Sequence, residues 1–473
     1  MQRLVGIDLA VTAESRACVT DETGKVIHER RFRITRNELE ALYCKATEGM
    51  SDEDTLVVVM EPTTSSWIAP TAFFQSRGAT VHLVPPEQGA DLRRYYQKHV
   101  KNDRIDAKLL ARLPLLHPDG LHEAKVPAGA RGTLRRVTQR RGKLIAELAS
   151  HRARVRFLLH YAMPGMNEVL GEELGKAAMA LLGRYGDPRA MLRLGKSRIA
   201  ALFIKASRGQ WREGKAAEVV AVATSALELW DGLDGCDFSE VAEDLAAEAR
   251  VIKALEAEIR ELDTRAAGLL KDIDPQGLHM SMPGFGERTA TTVAGRLGDA
   301  SRFRNASAVR AFIGMIPGTD QSGEMEGRPR LTKSGDRLLR TALFLAADAA
   351  RKDDPQLARI YHNQIVDKGN HPIQAVCAVA TALASRLAAV LREGRPYVIC
   401  DVDGTPVDTT AARRIITERY TVPADVRAAR RVVTRAKRQK GRRSDGVRSK
   451  AETPSPPAGA GPAHDAKRVL EHA

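Results

Sequence analysis

The chain has 473 residues, a net charge of +15 and a pI near 9.7, with 43% hydrophobic and 28% charged residues. That length exceeds one core and calls for about two to four domains, and the basic balance points to an acidic polymer as partner. Cys18, Cys44, Cys236, Cys377 and Cys400 are scattered without CxxC or Cys/His spacing, which speaks against a structural zinc site and for reduced thiols. The first residues lack a signal-peptide apolar core and no stretch reads as a bilayer span, so a soluble, cytoplasmic protein with no membrane partner is expected.

Leu4 to Ala10 reads as a buried strand with Asp8 near its end. Arg16 to Asp21 and Val26 to Arg33 form a hairpin around Glu22 to Lys25, and Thr35 can cap a helix reaching Lys45. Thr55 to Met60 is a strongly apolar strand that ends in Glu61, with Pro62 stopping it. A helix near Trp67 to Arg77 and a strand from Thr80 to Val84 complete an α/β pattern with a mixed sheet. An ionised carboxylate at the end of an apolar strand is costly unless a cation attends it.

Lys101-Asn102-Asp103-Arg104-Ile105-Asp106-Ala107-Lys108 follows, inside a basic run. At i and i+3 on a helix, Asp103 and Asp106 share a face. Acid pairs in a basic field suit metal-assisted phosphodiester chemistry, with Arg104 and Lys108 as candidate nucleic-acid contacts. The plainer alternative is that Asp103 N-caps a helix from Arg104 to Arg112 and Asp106 is a first-turn charge. Asp8, Glu61, Asp103 and Asp106 together form a D-E-D-D set, an arrangement that resembles the RuvC-like variant of the RNase H-like fold, where such acids converge on two magnesium ions.

From Arg131 the pattern turns to long helix. Leu134, Val137, Leu144, Leu148, Val155 and Leu158 keep a three–four spacing, as do Ile252, Leu255, Ile259, Leu262, Ala266, Leu269 and Ile273. Two such arms around a helical insert read as an antiparallel or intermolecular coiled coil, and a dimer or tetramer fits them better than a monomer. After Asp274-Pro275, the stretch Met282-Pro283-Gly284-Phe285-Gly286 opens a helix and resembles a helix–hairpin–helix phosphate grip through Gly284 and Gly286. The same glycines would also serve an ordinary tight turn. Ile316 to Glu324 is a polar loop holding Ser322, followed by Arg328, Arg330, Lys333 and Arg337. Those cations are candidate phosphate holders for a serine nucleophile, although Ser322 also suits a turn. Helices continue through Ile373 to Leu391, then a strand-like Pro396 to Val402. Between Arg427 and Lys450 eleven Lys or Arg face Asp445 alone, +10 of the net charge, and the chain from about Pro423 reads as disordered.

GIDLA around Asp8, MEPT around Glu61, KNDRIDAKLLAR, PGFGERTA, and QSG followed by RLTKSGDRLLR resemble, in order and spacing, the DEDD transposases of the insertion sequence 110 family. The resemblance covers about residues 1–118 and 275–395. It implies that Asp8, Glu61, Asp103 and Asp106 bind two magnesium ions and that Ser322 is the catalytic serine. It further implies a recombinase that cuts and rejoins DNA at element ends and target through a covalent serine–DNA intermediate, guided by a structured bridge RNA encoded in the element, in the prokaryotic nucleoid region. The expected layout is a RuvC-like mixed-sheet domain (1–118), a helical coiled-coil region (119–274), a small helical transposase domain with the serine loop (275–395), and a basic tail (396–473). Two alternatives remain at this stage: a RuvC-type hydrolytic nuclease, and a non-enzymatic nucleic-acid-binding coiled-coil protein.

Overall fold

The computed structural model describes residues 1–85, 103–118, 121–315, 317–318, 321–322, 325–326, 330–331, 335–430 and 432, with the backbone alone described at 103–105 and within 317–331. They fall into two compact units, Met1–Gly132 and the chain from Thr133 onward.

The first unit is built on a mixed sheet. Its strands β1 (Gln2–Asp8), β2 (Ser15–Thr20), β3 (Val26–Phe32), β4 (Thr55–Met60), β5 (Thr80–Leu83) and β6 (His122–Glu123) lie in the order β3-β2-β1-β4-β5-β6. The first three form an antiparallel meander, whereas β4 pairs in parallel with both β1 and β5. The Asp21 carboxylate closes the β2–β3 turn by accepting from the N–H groups of Thr23 and Lys25 at 2.9 and 3.0 Å. Parallel pairing of β1 with β4 needs a longer crossover, part of which is helix α1 (Arg36–Thr47). Thr35 caps that helix by accepting from the Glu38 N–H at 3.4 Å.

Alternation along β1 and β4 divides their side chains between two cores. Val5, Ile7, Val58 and Met60 pack with Leu39 and Leu42 of α1 and Phe74 of α2 (Ile68–Gln75). Leu4, Val57 and Val59 pack instead with Leu110 and Leu113 of α3 (Asp103–Leu116). A strand covered on both faces reads as a continuous apolar run, as β4 does from Leu56 to Met60. Helix α3 is longer than the sequence suggests because it continues through Pro114, and Asp103 is its first residue rather than its cap.

The second unit is helical. Within it α4 (Gly129–Ala162) and α9 (Phe238–Ile273) run antiparallel, joined by ion pairs Arg141–Asp263, Arg152–Glu256 and Arg154–Glu248. The two heptad runs therefore meet inside one chain, and they do not by themselves require a second copy. Between them, α5 (Met166–Leu170), α6 (Lys176–Tyr185), α7 (Pro188–Ser207) and α8 (Glu213–Leu229) share a core with Val155, Leu159, Leu245 and Ile252 of the arm.

The arm's other end joins a second core made by α10 (Leu278–Ser281), α11 (Glu287–Leu297), α12 (Ala306–Ile313), α13 (Arg337–Ala350), α14 (Pro355–Ile365) and α15 (Pro372–Glu393). Contrary to the sequence expectation, one helix, α15, is long and apolar enough to cross a bilayer. Its Val376, Val379, Leu383 and Leu387 lie in the middle of this core. Two short ladders, β7 (Pro317–Gly318) with β10 (Arg330–Leu331) and β8 (Gln321–Ser322) with β9 (Met325–Glu326), follow α12.

The expected strand at Pro396 to Val402 is absent apart from a single bridge between Cys400 and Pro406. Side-chain ties fix this segment instead. The Tyr397 hydroxyl donates to the fully buried Asp354 carboxylate at 2.6 Å, and Gln356 Nε2 donates to the Asp401 carbonyl at 2.8 Å. The first residues beyond Pro423 are helical, so the expected disorder does not begin there: α16 (Thr409–Arg419) is followed by helix over 424–430. The basic residues from 433 lie outside the described residues.

Candidate active site

Asp8 closes β1, and Glu61 follows β4 by one residue. The parallel register sets Ile7 against Met60. Continued by one residue past the end of the ladder, that register would set Asp8 beside Glu61, at the strand spacing of about 4.8 Å. Asp8 continues the row of Leu4 and Gly6, and Glu61 continues that of Val57 and Val59, so both rows belong to the face that α3 covers. On its other side Asp8 is registered with Arg16, and Arg16 with Arg31. The sheet edge thus reads cation, cation, acid, acid. Arg16 escapes a linear reading because only the hairpin register brings it beside Asp8.

Gly6 brings in the helix. A Cβ there would stand 2.0 Å from the Ala107 carbonyl oxygen and 2.3 Å from the Ala111 nitrogen, both α3 backbone. The helix lies closer to β1 than any side chain would allow. Leu115 and Arg112 lie beside Gly24, in the turn after β2 at the end of the sheet where β1 starts, so α3 runs antiparallel to β1. Its first turn, which carries Asp106 next to Ala107 and Asp103 three residues earlier, therefore approaches the edge where Asp8 ends. The Arg112 guanidinium fastens α3 to the β2–β3 turn with two bonds to the Gly24 carbonyl, at 3.1 and 3.0 Å. Among the described residues, no three His, Cys, Asp or Glu side chains are close enough to cage a metal ion. Asp8, Glu61 and Asp106 share an edge rather than a closed site.

The loops beside this edge are fixed. The Ala10 N–H donates to Ser15 Oγ at 3.1 Å. Past Glu61, Thr64 adopts φ 50°, a left-handed conformation that costs a β-branched residue about 1–2 kcal/mol. Strain of this kind concentrates at functional sites.

The second unit holds the other sequence-picked residues. Ser322 lies on β8, paired with Met325, and the outer β7–β10 ladder brackets it. Arg330 is on β10, Arg337 opens α13 and is exposed, and Arg328 and Lys333 lie outside the described residues. On α3, Lys108 is half-buried; of Arg104 only the helical backbone is described. Gly284 has a packing reason for being glycine. With φ +74°, its missing Cβ would sit 2.2 Å from the Ala346 carbonyl oxygen on α13. Gly286 is exposed at the N-cap of α11, with open space where a Cβ would point.

Residues 5–164 match the family of DEDD transposases of insertion sequence IS110, and residues 277–362 match the transposase family described as IS116/IS110/IS902. The chain belongs to the insertion sequence 110 family of transposases. Relatives agree along most of its length. It is 26% identical over 399 residues to a 43.6 kDa protein of insertion element IS110 from Streptomyces coelicolor, covering 83% of this chain and 95% of that one. A 42 kDa protein of IS900 from Mycobacterium paratuberculosis is 27% identical over 326 residues (67% and 76%). The transposase for IS1111A of Coxiella burnetii is 26% identical over 357 residues (73% and 77%). The protein is thus a DNA transposase, with DNA as its partner.

The first matched stretch carries the sheet and α3; the second carries the ladders with Ser322. DEDD transposases generally use divalent metal ions. The donors at the sheet edge suit one: they are carboxylates, hard oxygen ligands, and two of them stand at the ends of neighbouring strands. Magnesium keeps several waters and takes only one or two carboxylates, so a shared edge fits it without a preformed cage.

Proposed function

We propose that this transposase cuts and rejoins DNA by transferring a phosphodiester to Ser322, with Asp8, Glu61, Asp103 and Asp106 holding two Mg²⁺ ions. One observation supports the carboxylate half above others: Asp8 ends β1 and Glu61 directly follows β4 where these two strands pair in parallel up to Ile7 and Met60, and the helix that carries the other two acids lies against Gly6 of β1. Bound metal supplies Lewis-acid stabilisation of charge on phosphate and eases ionisation of an attacking hydroxyl.

The protein's own groups do the rest. Ser322 Oγ forms a bond to phosphorus as the bond to a deoxyribose oxygen breaks; the serine proton leaves to a base and the departing oxygen gains one. A phosphodiester is exchanged for another, so rejoining is the reverse step and consumes no further energy source. Arg328, Arg330, Lys333 and Arg337 hold phosphate oxygens, the arginine forks in bidentate fashion. Arg104 and Lys108 attend the backbone near the carboxylates, and Gly284 with Gly286 offer a backbone contact at the start of α11. A structured RNA encoded by the element serves as guide in this reading, and copies of the chain assemble as a dimer or tetramer. Both rest on the family resemblance, and the RNA also on the basic charge of the chain.

Substitution separates this reading from hydrolysis. Ser322→Ala is expected to abolish cleavage and any protein–DNA adduct while DNA binding survives. Cleavage that persists in Ser322→Ala but disappears in Asp8→Ala identifies a RuvC-type nuclease with water as nucleophile.

A further inference from the structure

Helices α4 and α11 cross where neither tolerates bulk. A Cβ on Gly295 would stand 2.9 Å from Thr138 Oγ1 and 3.1 Å from the Leu134 carbonyl oxygen. The next residue on each helix is an arginine, Arg296 and Arg135, so this crossing sets the two guanidiniums in one neighbourhood. A third joins from the turn after α11. Arg302 Nη2 donates to the Leu297 carbonyl at 3.1 Å, and its guanidinium lies 4.5 Å from the ring centres of both Phe303 and Phe312. Burial first, and then the neighbouring arginine charge, makes protonation of Arg135 and of Arg302 less favourable than usual.

Two carboxylates face these three cations, and both have other work. Asp336 takes both Arg296 Nε, at 2.5 Å, and Nη2, and also caps α13 through the Leu339 N–H at 3.0 Å, so Nη1 is the nitrogen of Arg296 left over. Asp299 caps the turn at Ser301, whose N–H it accepts at 3.0 Å. Arg296 Nη1 is buried and has no hydrogen-bond partner among the described residues. Charges placed for stability alone are usually paired and fully bonded. Here donors exceed acceptors, and planar guanidinium forks match phosphate oxygens.

Asp336, the partner of Arg296, is also close along the chain to the ladder outside Ser322. Asp336 follows Leu331, the end of β10, by five residues. An extended chain spans about 3.5 Å per residue, so the two lie within about 18 Å. We infer that Arg135, Arg296 and Arg302 form a second phosphate site, gripping the DNA backbone apart from the bond that Ser322 attacks. This rests on the DNA chemistry proposed above and adds the residues that hold the flanking strand. Its contacts are to phosphate and read no base.

The test is a salt titration of binding, using the full-length protein and a random-sequence duplex DNA. Each phosphate contact contributes about 0.9 to the slope of log affinity against log salt. Arg302→Gln and Arg135→Gln are each expected to reduce that slope by about one, with a thermal melt of each variant to establish that it is folded at the assay temperature. Unaltered slopes in both variants overturn the inference. So does a slope lost on single-stranded RNA of the same sequence but kept on duplex DNA. A wild-type protein that binds no DNA instead overturns the proposed function itself.

Discussion

Replacing Gly6 by alanine tests the seat that holds α3 to the sheet. The new Cβ starts 2.0 Å from the Ala107 carbonyl oxygen, and ordinary contact begins at 3.4 Å, so helix and strand have to part by about 1.4 Å. Both obstacles are backbone, and neither can rotate aside. Overpacking of this kind costs about 1–3 kcal/mol, which lowers the melting temperature of a domain near this size by roughly 4–8 °C per kcal/mol. The functional loss is larger than the structural one. Asp106 rides on the displaced turn, and a misplacement of about 1 Å at a reacting centre can cost about 100-fold in rate. The assay is magnesium-dependent cleavage of element-end DNA, run beside thermal unfolding and DNA binding. Gly6→Ala should still bind DNA while cleaving it far more slowly. Undiminished cleavage with an unchanged melt would refute the claim that Gly6 positions the acids.

Other positions give independent tests. Thr64→Gly relieves the left-handed strain beside Glu61 at some entropic cost, and should raise unfolding free energy by about 0.5–1 kcal/mol in a denaturant titration; a loss would contradict the strain. Gly284→Ala, driven against α13 at a left-handed φ, should destabilise the second unit by about 1–3 kcal/mol, whereas Gly286→Ala, facing open space, should cost only about 0.5 kcal/mol as a poorer N-cap. Equal effects of the two on stability would contradict the packing role. Asp274 is pushed up by burial, yet hydrogen bonds from the His279 N–H and ring and from the Leu278 N–H outweigh that and hold its carboxyl below the usual range. A carboxylate depressed in the folded state stabilises above its unfolded pKa of about 4 and loses that contribution as pH falls through the folded value. Asp274→Ala should therefore cost about 1–3 kcal/mol at pH 7, and the gap to wild type should close in acid melts. A gap that does not change with pH would rule out this linkage.

Much of the first unit was legible because its signals are local. An apolar run that ends in a charge, as at Asp8 and Glu61, announces both a strand and an unusual acid. Thr35, followed by polar and apolar residues at helical spacing, marks α1. What stays hidden depends on register or on contact between distant segments. In a linear reading Gly6 is a weak spot in a strand, and only the helix laid on it shows why no side chain is present. Arg16 becomes a neighbour of Asp8 through the hairpin, and Arg135 meets Arg296 through a helix crossing more than a hundred residues apart. Tertiary ties also overrode local propensity. Residues 396–402 look like a strand, yet Tyr397 is committed to Asp354, and the segment has no ladder to join. The heptads revealed two long helices but left their partner open, and salt bridges such as Arg152–Glu256 resolve it within one chain.

The account stands or falls on the nucleophile. The deciding measurement incubates the full-length transposase with magnesium and element-end DNA, traps any covalent protein–DNA adduct, and maps the attached residue. The account predicts an adduct on Ser322 that is absent from Ser322→Ala and that requires Asp8. Cleaved DNA with no adduct, or an adduct on another residue, would contradict it.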